Sequence, residues 1–216
     1  MSVARPVDAL LGFDQKLRGS TSTTVAGVDE AGRGCWAGPV VAAAVILPAG
    51  WAPPELTDSK RLHVDQRTRL YAEIDAHAVS WHACAVSPSD IDQLNILQAT
   101  LLAMSRAVRS LHTTPDLVLV DGIQAPLLPC QSRAIVGGDG KSAVIAAASV
   151  VAKVLRDRIM IAWDHVHPGY GFARHKGYGS PQHREALNRL GPCSLHRRSY
   201  RPVAAVAQGR LWNESG

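Results

Sequence analysis

Nine residues, Pro39-Val-Val-Ala-Ala-Ala-Val-Ile-Leu47, constrain the fold more than any other stretch. The run is strand-length and apolar on both faces, with no polar side turned to water. Such a strand is stable only inside a sheet that is covered on both sides. Other strands read from Thr24 to Val28, Val79 to Val86, Asp116 to Val120 and Arg133 to Val136. Helices read from His63 to His77, from Ser142 to Val166 and from about Pro181 to Leu190. A further helix carries Leu94, Leu97, Leu101, Met104, Val108 and Leu111 on one face, with Ser89 or Asp90 as N-cap. That face is read as core packing rather than a cofactor stripe. In the long helix Val144, Ala148, Val151, Leu155, Ile159 and Ala162 share a face, and alanines 146–148 permit close packing on a sheet. Hydrophobic content of 46% supplies the core. The order predicts an α/β fold, a mixed five-stranded sheet flanked by helices. Residues 1–23 read as a flexible lead-in, 24–168 as the core, and 169–216 as a small helical, basic C-terminal extension that helps bind substrate.

Three strand ends carry acid followed closely by glycine: Asp29-Glu30, Asp121 and Asp139. Each alone reads as a turn or helix cap, since Asp and Gly are common there. Together they suggest a ligand site, because ligands of α/β sheets gather at strand ends. Converging carboxylates repel one another, and a hard divalent cation such as Mg²⁺ or Mn²⁺ relieves that repulsion. Two such ions can activate water and stabilise a leaving alkoxide in phosphodiester hydrolysis. With those four acids set aside, 23 basic side chains face the remaining 14 of 18 acidic ones. An acidic pocket on a basic surface suits a polyanionic substrate. Arg174, His175, Lys176, Arg184, His196, Arg197 and Arg198 make the C-terminal third basic, and some of them are expected to touch nucleic-acid backbone.

Other classes are not favoured. Cys35, Cys84, Cys130 and Cys193 form no C-x-x-C pair, so they read as reduced thiols of a cytoplasmic protein rather than zinc ligands. The start lacks a signal-peptide core, no run is a membrane span, and no internal repeat is evident. His165 and His167 read as surface histidines near a helix end.

The stretches GVDEAGRG, AGPVVAAAVIL, DSKRL, NILQATLLAM, LVDG, GGDGKSAVIAAASVVAKVLRDRIM, HKGYGS and HRRSY, from about Val25 to Pro202, resemble ribonuclease HII, the bacterial type 2 ribonuclease H. The resemblance implies a ribonuclease H-like fold; a monomer is expected. It implies that Asp29, Glu30, Asp121 and Asp139 hold the metals, two ions during catalysis. It matches Gly32, Arg33 and Gly34 to an element that contacts the RNA–DNA junction and the ribose 2′-hydroxyl, and Tyr178 to a tyrosine on the junction's DNA sugar. Lys60, in DSKRL, and less firmly Lys141, would hold phosphate. The implied reaction is cleavage 5′ to ribonucleotides embedded in duplex DNA, and of RNA in RNA–DNA hybrids, leaving 3′-hydroxyl and 5′-phosphate ends. Such cleavage serves ribonucleotide excision repair. Two rival readings are a non-catalytic junction binder and a resolvase-like nuclease on the same fold. The family usually has proline and leucine where Cys35 and Trp36 stand here, and often asparagine and alanine or serine at Ile123 and Gly140. Adjacent strand residues face opposite ways, so if Asp29 and Glu30 both bind metal the backbone is expected to bend at Glu30.

Overall fold

The structure, a computed structural model, describes residues 6–19, 23–57, 59 and 62–213. In chain order its elements are α1 (Pro6–Arg18), β1 (Val25–Ala31), β2 (Val40–Ile46), α2 (Val64–His77), β3 (Ser80–Val86), α3 (Pro88–Leu94) and α4 (Ile96–Arg109). There follow β4 (Leu117–Asp121), β5 (Gln131–Ile135), a 3₁₀ turn (Gly138–Gly140), α5 (Ala143–Val166), α6 (Phe172–His175), α7 (Pro181–Leu190) and α8 (Arg201–Asn213). The five strands form one mixed sheet in the order β3-β2-β1-β4-β5. β1 runs antiparallel to β2 and parallel to β4, and β4 runs parallel to β5. Every residue of β2 is buried, as a run apolar on both faces requires. None of the described helices is long and apolar enough to cross a membrane.

Gly27, in the middle of β1, brings α5 against the sheet. A β-carbon there would overlap the Val144 carbonyl and the Ile145 amide, so helix backbone lies directly on strand backbone. The alanines at 146–148 are all fully buried and make that approach possible. The start of α5 is held from a distance, since Asp14 Oδ2 accepts the Val144 amide at 3.1 Å. Asp14 belongs to α1, so residues 6–18 of the stretch read as a flexible lead-in form a helix. Its buried stripe is Val7, Leu10 and Asp14, at spacings of three and four. A carboxylate on that face hides the amphipathic pattern from a count of apolar residues.

The helix expected around Leu94 to Leu111 is two helices. Asn95 adopts φ +66°, and its Oδ1 accepts the amides of Leu97 and Gln98 at 3.0 and 3.1 Å, which ends α3 and caps α4. Leu94 and Leu97 are therefore exposed, and the buried face is Ala99, Ala103, Met104, Ala107 and Val108. The N-cap of α3 is Ser87, whose Oγ accepts the Asp90 amide at 3.2 Å, rather than Ser89 or Asp90. The second half of α5 also differs from expectation. Arg156 and Met160 are fully buried, while Ala162 is exposed.

The chain divides into two compact units that are not consecutive in sequence. The first comprises Met1–Ala31, Val41–Cys84 and Leu101–Val154; the second comprises Gly32–Val40, Ala85–Thr100 and Leu155–Gly216. The second has its own core of Ala37, Met160, Tyr170, Phe172, Ala186 and Leu195.

Candidate active site

The four acids all belong to the first unit. β1 continues past the expected end at Val28, so Asp29 and Glu30 lie within it, opposite Ala43 and Ala42 of β2. Pairing with β2 runs on to Ala31, and no bend interrupts it at Glu30. Pairing with β4 ends at Val28–Val120, so Asp29 and Asp121 each follow the last paired residue of two neighbouring parallel strands. That shared direction is what brings two distant acids to one end of the sheet. Asp29 is only 4% exposed, and its Oδ1 accepts the Glu30 amide at 2.7 Å. The Ser149 hydroxyl of α5 also donates to Asp29, and Ser149 Oγ lies 2.7 Å from Ser59 Oγ.

Asp121 Oδ1 accepts the Gly138 amide at 2.7 Å, which ties the 3₁₀ turn to the end of β4. A β-carbon on Gly138 would lie 2.6 Å from Ile145 Cδ1, so a larger residue there would make the Ile145 side chain turn aside. The next residue is Asp139, buried within the turn. Burial pushes the Asp29 carboxyl well above the usual carboxylate range, and the charges of Glu30 and then Asp121 push the same way. Asp29 thus sits in the field of both Glu30 and Asp121, and hard oxygen donors of like charge suit a hard divalent cation. Among the described residues, however, no group of three or more His, Cys, Asp or Glu side chains is gathered as a ready metal cage. Asp29 and Asp121 are instead turned onto backbone amides.

Gly32, Arg33, Gly34 and Tyr178 belong to the second unit. Gly32 follows β1 with φ +97°, and a β-carbon there would overlap the Arg156 guanidinium. The loop from Gly32 to Pro39 is held by two fully buried arginines, Arg156 and Arg197, the second counted above only among the basic residues of the C-terminal third. Arg197 Nη2 donates to the carbonyls of Gly32 at 2.7 Å and Gly38 at 2.9 Å, and Nη1 donates to that of Arg33 at 2.7 Å. The Tyr200 hydroxyl donates to the Arg33 carbonyl as well, at 2.7 Å. Arg156 donates to the carbonyls of Pro39 at 3.0 Å, Ala37 at 3.2 Å and Lys176 at 2.9 Å. Loop carbonyls therefore point at buried guanidinium groups, while Arg33 and Gly34 are exposed.

Tyr178 is 43% exposed, with the Arg156 guanidinium 5.7 Å from its ring centre. Burial raises its phenol above the usual range, with Cys35 beside it as the next cause. Trp36 packs against Gly179, where a β-carbon would overlap the indole. Of the seven basic residues among which backbone contacts are expected, Arg174, Arg184 and Arg198 are exposed and Lys176 is half-buried. His175, His196 and Arg197 are buried and form no part of the basic surface. Nothing in the sequence pattern separates Arg197 from its neighbour Arg198. Lys141 is exposed and donates to the Val136 carbonyl at 2.6 Å. Lys60 lies outside the described residues.

The chain matches the profile of the family described as Ribonuclease HII over residues 26–203. It is 55% identical to a Ribonuclease HII of Dichelobacter nodosus over 182 residues, covering 84% of this chain and 96% of that protein. It is 53% identical over 201 residues to a Ribonuclease HII of Parvibaculum lavamentivorans, covering 92% of this chain and 74% of that protein. Among solved structures, ribonuclease H2 from Pyrococcus horikoshii OT3 superposes with a TM-score of 0.73 at 24% identity, covering 86% of this chain and 98% of that one. That likeness extends to the ribonuclease H-like sheet and its flanking helices. The chain belongs to the ribonuclease HII family and is a ribonuclease H, an endonuclease acting on nucleic acid.

Proposed function

We propose that this endonuclease is metal-dependent and hydrolyses the phosphodiester on the 5′ side of ribonucleotides embedded in duplex DNA, and the RNA strand of RNA–DNA hybrids. The products would carry 3′-hydroxyl and 5′-phosphate ends. The observation that supports this most is the buried Asp29 carboxyl, whose charge is opposed by Glu30 and Asp121 at the end of two parallel strands. Asp29, Glu30, Asp121 and Asp139 would hold Mg²⁺ or Mn²⁺, with the Asp29 and Asp121 side chains leaving their amide partners for the ions. Bound there, two ions would supply an activated water and a counter-charge for the leaving oxygen.

The rest of the work falls to the chain. Glycine-flanked backbone at Gly32 and Gly34 can approach a ribose 2′-hydroxyl, which donates and accepts hydrogen bonds and so distinguishes RNA from DNA. The exposed Arg33 would grip a neighbouring phosphate. Tyr178 would pack on the deoxyribose that follows, and Lys60 would hold a further phosphate. The exposed Arg174, Arg184 and Arg198 add backbone charge contacts. None of the four cysteines forms a disulfide, which accords with a cytoplasmic location, and we propose that the protein acts as a monomer.

The test is cleavage of a duplex containing one ribonucleotide, with Mg²⁺ or Mn²⁺, beside an all-DNA duplex, a branched all-DNA substrate and an RNA–DNA hybrid. Cutting confined to the ribonucleotide-containing substrates, with mapped ends as stated, is the expected result. Binding without cutting would favour a junction binder, and preference for the branched DNA would favour a resolvase-like nuclease.

A further inference from the structure

Three histidines are packed together in the second unit, and the reaction outlined above uses none of them. His183 and His196 are 0% and 2% exposed, and His175 is buried beside them, its ring stacked on His183 with centroids 4.3 Å apart. Their hydrogen bonds leave one consistent proton arrangement. The Cys193 amide donates to His196 Nδ1 at 3.0 Å, so that nitrogen accepts. A neutral His196 then carries its proton on Nε2, which faces His183 Nε2 at 3.1 Å. His183 Nε2 must accept, so its proton sits on Nδ1, which donates to the Tyr178 carbonyl at 2.9 Å. The chain of bonds runs from the Cys193 amide through two rings to Tyr178, and a second proton on either ring breaks it.

The third ring holds the turn before Tyr178. The Gly177 amide donates to His175 Nδ1 at 3.2 Å, so His175 Nε2 carries the proton and donates to the Tyr170 carbonyl at 2.8 Å. This turn needs holding. Lys176 is one of two described non-glycine residues with positive φ, at +52°, and Gly177 follows at +82°. Such conformations persist where surrounding structure enforces them. Here the enforcing groups are the histidines, together with the Trp36 amide on the Gly177 carbonyl at 2.9 Å and the Ser180 amide on the Tyr178 carbonyl at 2.8 Å.

We propose that His183 and His196 act as a neutral hydrogen-bond relay that fixes the backbone of Tyr178, with His175 fixing the turn before it, and that they are positioning residues for substrate recognition. The inference rests on the reading of Tyr178 as a substrate contact. Burial keeps His183 and His196 neutral in ordinary buffers, since it lowers their pKa values to about 4 and about 3. The charged or titratable groups that act on the cluster are Asp164 and Lys176 on His175, and His167 on His196, beside the Cys193 thiol.

Two experiments test it. In the ¹⁵N-labelled wild-type protein near pH 7, imidazole shifts should assign the Nδ1–H tautomer to His183 and the Nε2–H tautomer to His196. The opposite tautomer at either residue overturns the relay. Kinetics on a single-ribonucleotide duplex then connect the relay to function. His183→Leu should raise KM about tenfold, the order of one lost hydrogen bond, with a much smaller change in kcat. His183→Asn, whose amide can still donate to the Tyr178 carbonyl, should recover most of the loss, and it serves where His183→Leu does not fold. If Tyr178→Ala raises KM while neither His183 variant does, the inference is wrong. If Tyr178→Ala leaves KM unchanged, the reading of Tyr178 falls and takes this inference with it. The wild-type tautomers tell that failure apart from failure of the relay itself.

Discussion

Removal of the Arg197 side chain should damage both the stability of the fold and the binding of substrate, by an amount that can be worked from its contacts. The guanidinium is fully buried, and its partners are the carbonyls of Gly32, Arg33 and Gly38 and the Tyr200 hydroxyl. In Arg197→Ala, the carbonyls of the buried Gly32 and Gly38 lose this donor, Gly32 keeping only a long bond of 3.4 Å from the Cys35 amide, at roughly 1–3 kcal/mol for a buried group left unsatisfied. The vacated volume adds to the loss, and the Arg33 carbonyl keeps its bond from Tyr200. The removed cation itself refunds some desolvation energy. A net loss of about 3–5 kcal/mol follows, at the severe end for a single substitution. For a chain of this size each kcal/mol lowers Tm by roughly 2–4 °C, so the midpoint should fall by roughly 6–20 °C. Urea titration with the slope compared between variants is the assay. Arg197→Lys keeps the charge but not the fork, and should fall between the two. In folded variants KM for the ribonucleotide duplex should rise, because the backbone of Gly32 to Gly34 is no longer pinned. A loss below about 1 kcal/mol for Arg197→Ala, at unchanged slope, would refute the idea that this side chain organises the loop.

Asp29→Asn should reduce cleavage about a thousandfold or more, while the metal-free protein melts no lower than wild type. It removes a buried charge that Glu30 and Asp121 oppose, so a melt in chelator that drops by several degrees would contradict the assignment. His183 and His196 have folded-state pKa values lowered to about 4 and about 3 from an ordinary 6.5, so the unfolded chain binds protons first as pH falls. Their contribution is complete above about pH 6.5 and lost on descent toward pH 4 and 3, on the order of 3 kcal/mol for His183 alone. Urea unfolding of wild type and His183→Asn between pH 7 and 5 should show a shallower pH slope in the variant. Gly27→Ala should cost more than about 3 kcal/mol or abolish folding, because its methyl group meets the backbone of Val144 rather than a side chain that can turn aside. Soluble variant with wild-type Tm would show that α5 can retreat from the sheet.

The sheet was legible because its strongest signal is also its simplest. A run without polar residues has one stable location, and Pro39 to Leu47 occupies it. α7 was equally plain, bounded by Ser180, Pro181 and Gly191, residues whose backbone chemistry starts and stops helices. Elements whose logic lies in a single polar side chain were harder to see. Asn95 divides a helix that apolar spacing alone makes continuous, and Asp14 sits on the buried face of α1 where a hydrophobic residue is expected. The four acids stand out through glycine and strand context, but the length of β1 does not, since Asp29 and Glu30 look like strand terminators and are held in register by alanines of β2. Arg156, His175, His196 and Arg197 were read as part of a helix or of a basic surface because burial of a polar group depends on partners remote in sequence. The Arg197 partners at Gly32 and Gly38 are 165 and 159 positions away.

β1 is third of five strands, bonded on both sides up to Val28 and on one side to Ala31. In native-state hydrogen exchange, central strands open only when the whole domain does, while peripheral segments fluctuate on their own. The amides of Val25 to Val28 should thus be among the slowest to take up deuterium. Two of the acids would then follow directly on the most persistent part of the molecule, anchored to it through the continuing pairing with β2.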